Sequence, residues 1–271
     1  MSGPETYEVF AIRYGSVAER LRRDNFIIAP NHPTDPHDGE MPLDYFVWAI
    51  VNENRTIVVD TGFERTEGDK RGRTITRLPA EGLEIIGIDA AKIEDVIITH
   101  LHYDHAGTLD DFPAARFHLQ ESEMNYATGK HMCHEPFGHA YAPDHVCTMV
   151  RRVFDGRVAF HDGDAEVAPG ISVHWIGGHT AGVQCVRVLT KRGWVVLASD
   201  AAHFYENMEA IAPFPIVYSA ADMVQGYVKM RGLAESGRHI IPGHDPLVMA
   251  RYPIAKEGQE DVIRLDVAPT G

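Results

Sequence analysis

The six residues His100-Leu101-His102-Tyr103-Asp104-His105 place three imidazoles and a carboxylate directly after the apolar run Val96-Ile97-Ile98-Thr99. An apolar run of this kind reads as a buried strand, so the cluster falls at a strand end. His100 and His102 are two residues apart and share a face on an extended backbone. Asp104 and His105 are adjacent and are free to turn toward a second point. Histidine and aspartate are the side chains that hold zinc and similar borderline metals. The plain alternative, a polar surface turn with incidental histidines, explains the clustering less well.

Three later segments supply what a two-metal site still lacks. His179 lies in Gly177-Gly178-His179-Thr180, Asp200 ends the run Val195-Val196-Leu197-Ala198-Ser199, and His244 lies in Pro242-Gly243-His244-Asp245. Each follows a predicted strand or sits in a glycine turn, where a rigid scaffold projects a side chain.

In this order the residues resemble the metallo-β-lactamase superfamily, in its dinuclear branch. The resemblance runs from Val58-Val59-Asp60-Thr61-Gly62 through His100–Gly107 to His244 and covers most of the chain. It implies an α+β fold, the four-layer αββα sandwich. It implies that His100, His102 and His179 hold one divalent ion, that Asp104, His105 and His244 hold the other, and that Asp200 bridges them. Zinc is the default metal for both. Asp60 would orient a ligating imidazole.

Among members of the superfamily, the length and ligand set look most like N-acyl-homoserine lactonases and relatives that open other small lactones. The implied chemistry is attack on a carbonyl by a hydroxide held between the metals, with one metal steadying the oxyanion. No Gly-x-Ser-x-Gly turn offers a serine nucleophile. Asp104 would also pass a proton to the leaving alkoxide, which adds it to the catalytic residues. In typical acyl-homoserine lactonases a tyrosine stands three residues after the bridging aspartate and touches the lactone carbonyl. Here His203 holds that place and Tyr205 lies two further on, so both are candidate catalytic donors. The alternatives are a glyoxalase II-type thioester hydrolase, or a non-catalytic metal-bearing binding protein on the same fold. Glyoxalase II enzymes carry a C-terminal helical extension, for which the residues after His244 leave little room.

The remaining features bound the reading. Residues 1–271 are expected to form a single hydrolase domain, with no linker or internal repeat. No apolar stretch approaches the roughly 20 residues of a membrane span, and Met1–Glu5 lacks a signal-peptide pattern. A cytoplasmic protein is expected. Its partner would be a small lactone or ester, with no nucleic acid or membrane, and a homodimer is allowed. The formal net charge of −14 disfavours nucleic acid. Cys133, Cys147 and Cys185 show no disulfide spacing, and Cys185 reads as a buried small hydrophobe.

Strands are expected at Tyr7–Arg13, Tyr45–Val51, Thr56–Asp60, Val96–Thr99, Arg116–His118, Ile171–Trp175, Val183–Leu189, Trp194–Ser199 and His239–Ile241. Helices are expected at Ala90–Ile93, Leu119–Tyr126, Cys147–Val153 and Ala220–Glu235, the last N-capped by Ser219 with its Met223, Val224, Tyr227, Met230 and Leu233 stripe facing the core. The His-rich segment 131–145 reads as a loop at the mouth of the site, with Phe137, Tyr141, Phe214 and Pro215 as candidate apolar walls. The basic run Arg65, Lys70, Arg71, Arg73 and Arg77 reads as a solvated loop face rather than a guide for an anionic substrate.

Overall fold

A computed structural model of the protein describes residues 5–27 and 38–270. The strands are, in chain order, β1 (Glu8–Val17), β2 (Leu43–Val51), β3 (Thr56–Val59), β4 (Thr74–Ile75), β5 (Asp95–Ile97), β6 (Arg116–Gln120), β7 (Val158–His161), β8 (Ala165–Ala168), β9 (Ile171–Trp175), β10 (Gln184–Thr190), β11 (Gly193–Ser199), β12 (Ile240–Pro242) and β13 (Val262–Arg264). The α-helices are α1 (Arg65–Lys70), α2 (Pro79–Ile85), α3 (Glu121–Ala127), α4 (Glu135–Gly138), α5 (Pro143–Phe154), α6 (Tyr205–Glu209), α7 (Ala220–Leu233) and α8 (Leu247–Arg251). One sheet has the order β13-β1-β2-β3-β5-β6-β7, with β4 also on β1, and the other has the order β12-β11-β10-β9-β8.

The side-chain period of two explains why both sheets are covered on both faces. Along β2, Phe46, Trp48 and Ile50 pack toward the second sheet, joining Val186, Val188 and Val196 in one core. Tyr45, Val47 and Ala49 turn the other way, into a core shared with Leu83 of α2, Tyr126 of α3 and Met149 of α5. On the far side of the second sheet, Met223, Tyr227 and Met230 of α7 close the first core. The layers are therefore helix, sheet, sheet, helix, the expected αββα sandwich.

The long, apolar strands match expectation to within a few residues, and Ile171–Trp175 matches at both ends. The strands absent from the expectation are β4, β7, β8 and β13, and all four lie at sheet edges or off the main path. They are two to four residues long and, except β13, carry little burial, so their alternation is too short and too polar to read. Strand β1 runs past Arg13 through a register shift between Arg13 and Gly15.

The segment Ala90–Lys92 forms a 3₁₀ turn. Helix α3 begins at Glu121 because Leu119 and Gln120 still belong to β6. Helix α5 starts earlier than expected, at Pro143, a residue suited to a first helical turn. Ser219 caps α7, its hydroxyl accepting from the Asp222 amide at 3.2 Å. Cys185 is buried, and Cys133 and Cys147 are exposed. Among the described residues no helix is long and apolar enough to cross a membrane.

Candidate metal centre

All of the expected ligands leave the sheets at one end. Strand β5 stops at Ile97, and the chain turns from His102 onward. The His105 and Ala106 amides both donate to the His102 carbonyl, at 3.1 and 3.2 Å. The rings of His100 and His102, two residues apart and ahead of this turn, lie 4.5 Å from each other. The same turn brings Asp104 and His105 back toward the sheets.

His179 follows β9 through Gly177 and Gly178, both with positive φ. A Cβ on Gly178 would lie 2.5 Å from the Met223 amide, so only glycine lets the start of α7 close over this loop. Asp200 directly follows β11, and Ser199 before it takes a left-handed φ of 46°. His244 follows β12 after Gly243, where a Cβ would meet the Ser199 carbonyl oxygen at 2.6 Å.

The structure brings the seven expected ligands into two groups that share Asp200: His100, His102, His179 and Asp200, and Asp104, His105, His244 and Asp200. In each group one ligand atom per residue lies within 4.8 Å of every other, and all seven residues are buried. Asp200 Oδ1 faces His244 Nε2 at 2.9 Å and His105 Nε2 at 3.2 Å. Its Oδ2 faces His179 Nε2 at 3.3 Å and His100 Nε2 at 3.9 Å. His102 presents Nδ1, 2.9 Å from His179 Nε2. Among the described residues no other grouping of three or more such side chains forms, so His131, Cys133, His134 and His139 make no separate site.

The opposite ring nitrogens are anchored. His105 Nδ1 meets Asp60 Oδ2 at 2.7 Å, His244 Nδ1 the Asp44 carbonyl at 2.7 Å, His179 Nδ1 the Ile216 carbonyl at 2.7 Å, and His100 Nδ1 the Thr99 hydroxyl at 3.2 Å. With Nδ1–H donating outward, each Nε2 lone pair points into the cluster. Asp60 performs the orienting role expected of it, and it also accepts from the Thr99 amide and hydroxyl. It holds a left-handed φ of 62°, a conformation found where a site over-determines its backbone.

The donor set fits divalent ions. His100 Nε2, His105 Nε2 and Asp200 Oδ1 are buried without a hydrogen-bond partner, although they converge on one another. Burial pushes His100, His102 and His179 below the ordinary histidine range, which keeps their lone pairs free. Burial also opposes charge on His105 and His244, but Asp200 and Asp104 outweigh it and push both upward. The two carboxylates thus demand positive charge at this point, and a cation answers that demand by displacing protons.

His203 joins the cluster: its Nε2 lies 2.8 Å from Asp200 Oδ2, and its ring stacks on Phe214 at 3.5 Å. Burial pushes His203 down to about 3, so the ring is neutral. Tyr205 is not brought to the cluster. It lies under the Arg251 guanidinium, 4.0 Å from ring to charge, and its hydroxyl is buried without a partner. Tyr141 and Phe214 do stand at the site, Tyr141 with its ring 4.5 Å from that of His102, whereas Phe137 packs against His131 at 5.6 Å.

Two features are not legible in the motifs. Glu123 on α3 is fully buried and accepts from the Leu101 amide (2.9 Å), the Tyr141 hydroxyl (2.9 Å), the Thr180 hydroxyl (2.6 Å) and the Gly182 amide (3.1 Å). One carboxylate so ties the His100–His102 turn to the His179 loop. A helix-start glutamate between strands carries no signal of this. The second is the basic run, which is not uniformly a solvated face. Arg71 and Arg73 line the cavity over the cluster together with Arg20, Tyr103 and His139. Arg65 and Arg77 face away, toward Glu81 and Asp261.

Residues 41–256 match the metallo-beta-lactamase superfamily. The chain belongs to that superfamily. Among curated relatives, it is 30% identical over 177 residues to the N-acyl homoserine lactonase AttM of Azorhizobium caulinodans, a match covering 60% of this chain and 62% of that protein. It is 28% identical over 193 residues to an N-acyl homoserine lactonase of a Bacillus species, covering 65% and 71%. The matched stretch thus spans about three fifths of the length of the AttM protein. Among solved structures, a quorum-quenching N-acyl homoserine lactone lactonase superposes with a TM-score of 0.72 at 21% identity, covering 90% of this chain and 95% of that one. The dizinc quorum-quenching lactonase AidC superposes at 0.66 with 13% identity, covering 90% of both chains. These superpositions show the superfamily's fold. The fold together with the two His/Asp groups implies a dinuclear divalent-metal site.

Proposed function

We propose that the protein is a metal-dependent hydrolase that opens a lactone, with an acyl-homoserine lactone or another small lactone as substrate and zinc as the metal. The observation that carries this reading is the sharing of Asp200 between the two ligand groups. The lactonase relatives support it. Neither a thioester hydrolase nor a purely binding role is favoured by any of them. If the substrate is an acyl-homoserine lactone, the activity is quorum quenching.

When bound, two divalent ions supply a water of lowered pKa and a Lewis acid for the carbonyl oxygen. The protein's own groups do the rest. His100, His102 and His179 would hold one ion, Asp104, His105 and His244 would hold the other, and Asp200, common to both groups, would serve each. Tyr141, Phe214 and Ile216 border the site and limit access of bulk water. Asp104 would take up a proton from the attacking water as the water oxygen bonds to the carbonyl carbon, and return it to the alkoxide oxygen as the acyl C–O bond breaks, which releases a hydroxy acid. His203 would steady the substrate oxygen with its single N–H, at Nε2, which points to Asp200 Oδ2 at 2.8 Å and would turn to the substrate once that oxygen holds an ion.

The test is a hydrolysis screen of lactones, linear esters and thioesters on metal-analysed protein, read by proton release. Turnover of at least one lactone, falling by orders of magnitude in Asp200→Asn with the fold intact, is expected. Preference for thioesters over every lactone would overturn the assignment.

A further inference from the structure

The cavity over the ligand cluster carries cationic groups that hydrolysis of a neutral lactone does not require. Arg20 and Arg73 both line it, beside Asp104, Asp200 and His244. They come from separate parts of the chain, the loop after β1 and the loop before β4, so the fold rather than a local charge run assembles them. Arg73 uses Nε to donate to the Tyr103 hydroxyl at 3.2 Å, and Tyr103 shares a 2.7 Å hydrogen bond with Tyr45. Arg20 is held through Nε by Asn25 Oδ1 and through Nη2 by the Asp24 carbonyl at 2.9 Å. Both guanidiniums are therefore fixed by neutral acceptors. Among the described residues neither forms an ion pair with a carboxylate, and both Nη atoms of Arg73 and Nη1 of Arg20 have no partner. Arg71, their neighbour in the lining, is different: Glu67 and the His139 and Tyr141 carbonyls use its donors, and it stacks over Tyr103 at 4.0 Å.

An unpaired, half-buried arginine pair is unusual in a chain with a formal net charge of −14, where carboxylates are plentiful. Burial depresses the Arg20 guanidinium below the ordinary arginine range, and the like charge of Arg73 pushes the same way. Two divalent ions bound below would more than offset Asp104 and Asp200, so the loaded cavity would be cationic on its floor and at its rim. Such a cavity favours an anion, and the planar guanidinium fork matches a carboxylate in two-point contact.

We infer that Arg20 and Arg73 form a carboxylate-recognition subsite, and that the substrate is a small lactone bearing a free carboxylate rather than a neutral acyl-homoserine lactone. This rests on the lactonase reading above. The two arginines bind the substituent and hold the ring over the metal positions. They are specificity residues and take no part in bond breaking.

The matched probes are 5-oxotetrahydrofuran-2-carboxylate and its methyl ester, with the ring-opened product 2-hydroxyglutarate for direct binding. On the zinc-loaded protein, kcat/KM for the free acid should exceed that for the ester at least tenfold. Arg73→Gln and Arg20→Gln should each cut that ratio about tenfold, mostly through KM for the acid, and Arg73→Lys should restore part of it. Calorimetric binding of 2-hydroxyglutarate should weaken by a similar factor in both glutamine variants. Equal turnover of acid and ester by the wild type, with binding indifferent to both variants, would overturn the subsite and leave the lactonase reading standing. If neither lactone is opened yet 2-hydroxyglutarate binds in an arginine-dependent way, the lactonase reading falls and the carboxylate subsite stands.

Discussion

Asp60, forty-five positions before His105 and on a left-handed backbone, accepts the Nδ1–H of His105 on its carboxylate at 2.7 Å. This contact sets which nitrogen of His105 faces the cluster. Asn tolerates the left-handed φ and keeps the shape, so Asp60→Asn isolates the charge and the acceptor. Affinity for the metal next to His105 should fall by roughly 10–100-fold, the usual effect of losing a ligand's outer partner. Competition against a chelator measures it, and unchanged affinity would show that the ring is oriented by other contacts.

Metal content follows from the shared Asp200. The purified protein should hold about two divalent ions per chain. His102→Ala removes a ligand from one group and His244→Ala from the other, so each variant should retain about one. Elemental analysis after exhaustive dialysis decides, and full occupancy in both variants would remove these two residues from the ligand set.

The site is more legible in the sequence than the fold around it. His100 to His105, His179, Asp200 and His244 follow β5, β9, β11 and β12, whose apolar, buried residues make these strands easy to see even where, as in β5 and β12, they are only three residues long. Its distance to Asp200 along the chain makes Tyr205 look like a neighbour of the site. The chain enters α6 at that point, which carries its ring to Arg251 instead. A charge run gives no hint of which members face inward, so Arg73 looks solvated in the sequence. Arg20 and Glu123 reach the site only through packing between segments distant in sequence, and no local pattern encodes that. The edge strands β4, β7, β8 and β13 escaped for the opposite reason, having too few residues to set up an alternation.

Glu123 provides a test of how the loops are held. Its carboxylate accepts four hydrogen bonds, from Leu101 between His100 and His102, from Thr180 and Gly182 after His179, and from the Tyr141 hydroxyl. Glu123→Gln replaces one accepting oxygen with an NH2 group that confronts donors. The expected cost is about 1–3 kcal/mol of stability, as for a buried group left unsatisfied. Binding at the His100, His102 and His179 position should weaken more than at the other, because only those loops are tied to Glu123. Denaturant midpoints together with stepwise metal titration separate the two effects. Equal weakening at both positions would reduce Glu123 to a general stabilising role.

His203 and Tyr205 give the sharpest contrast at the oxyanion side. His203 Nε2 faces Asp200 Oδ2 at 2.8 Å, inside the cluster, whereas the Tyr205 hydroxyl is buried beside Arg251. If His203 steadies the substrate oxygen, His203→Ala should lower kcat by roughly 10²–10³-fold, the usual loss for one oxyanion donor. Metal content should change little, because the seven proposed ligand residues are intact. Tyr205→Phe removes a buried hydroxyl that has no partner, so stability should hold or rise slightly and kcat should stay near the wild-type value. Steady-state kinetics on the best lactone from the screen, with metal analysis of each variant, give the answer. A large loss of kcat in Tyr205→Phe would place the donor on α6 and require that helix to move toward the cluster when substrate binds. Near-normal kcat in His203→Ala would remove His203 from the catalytic residues.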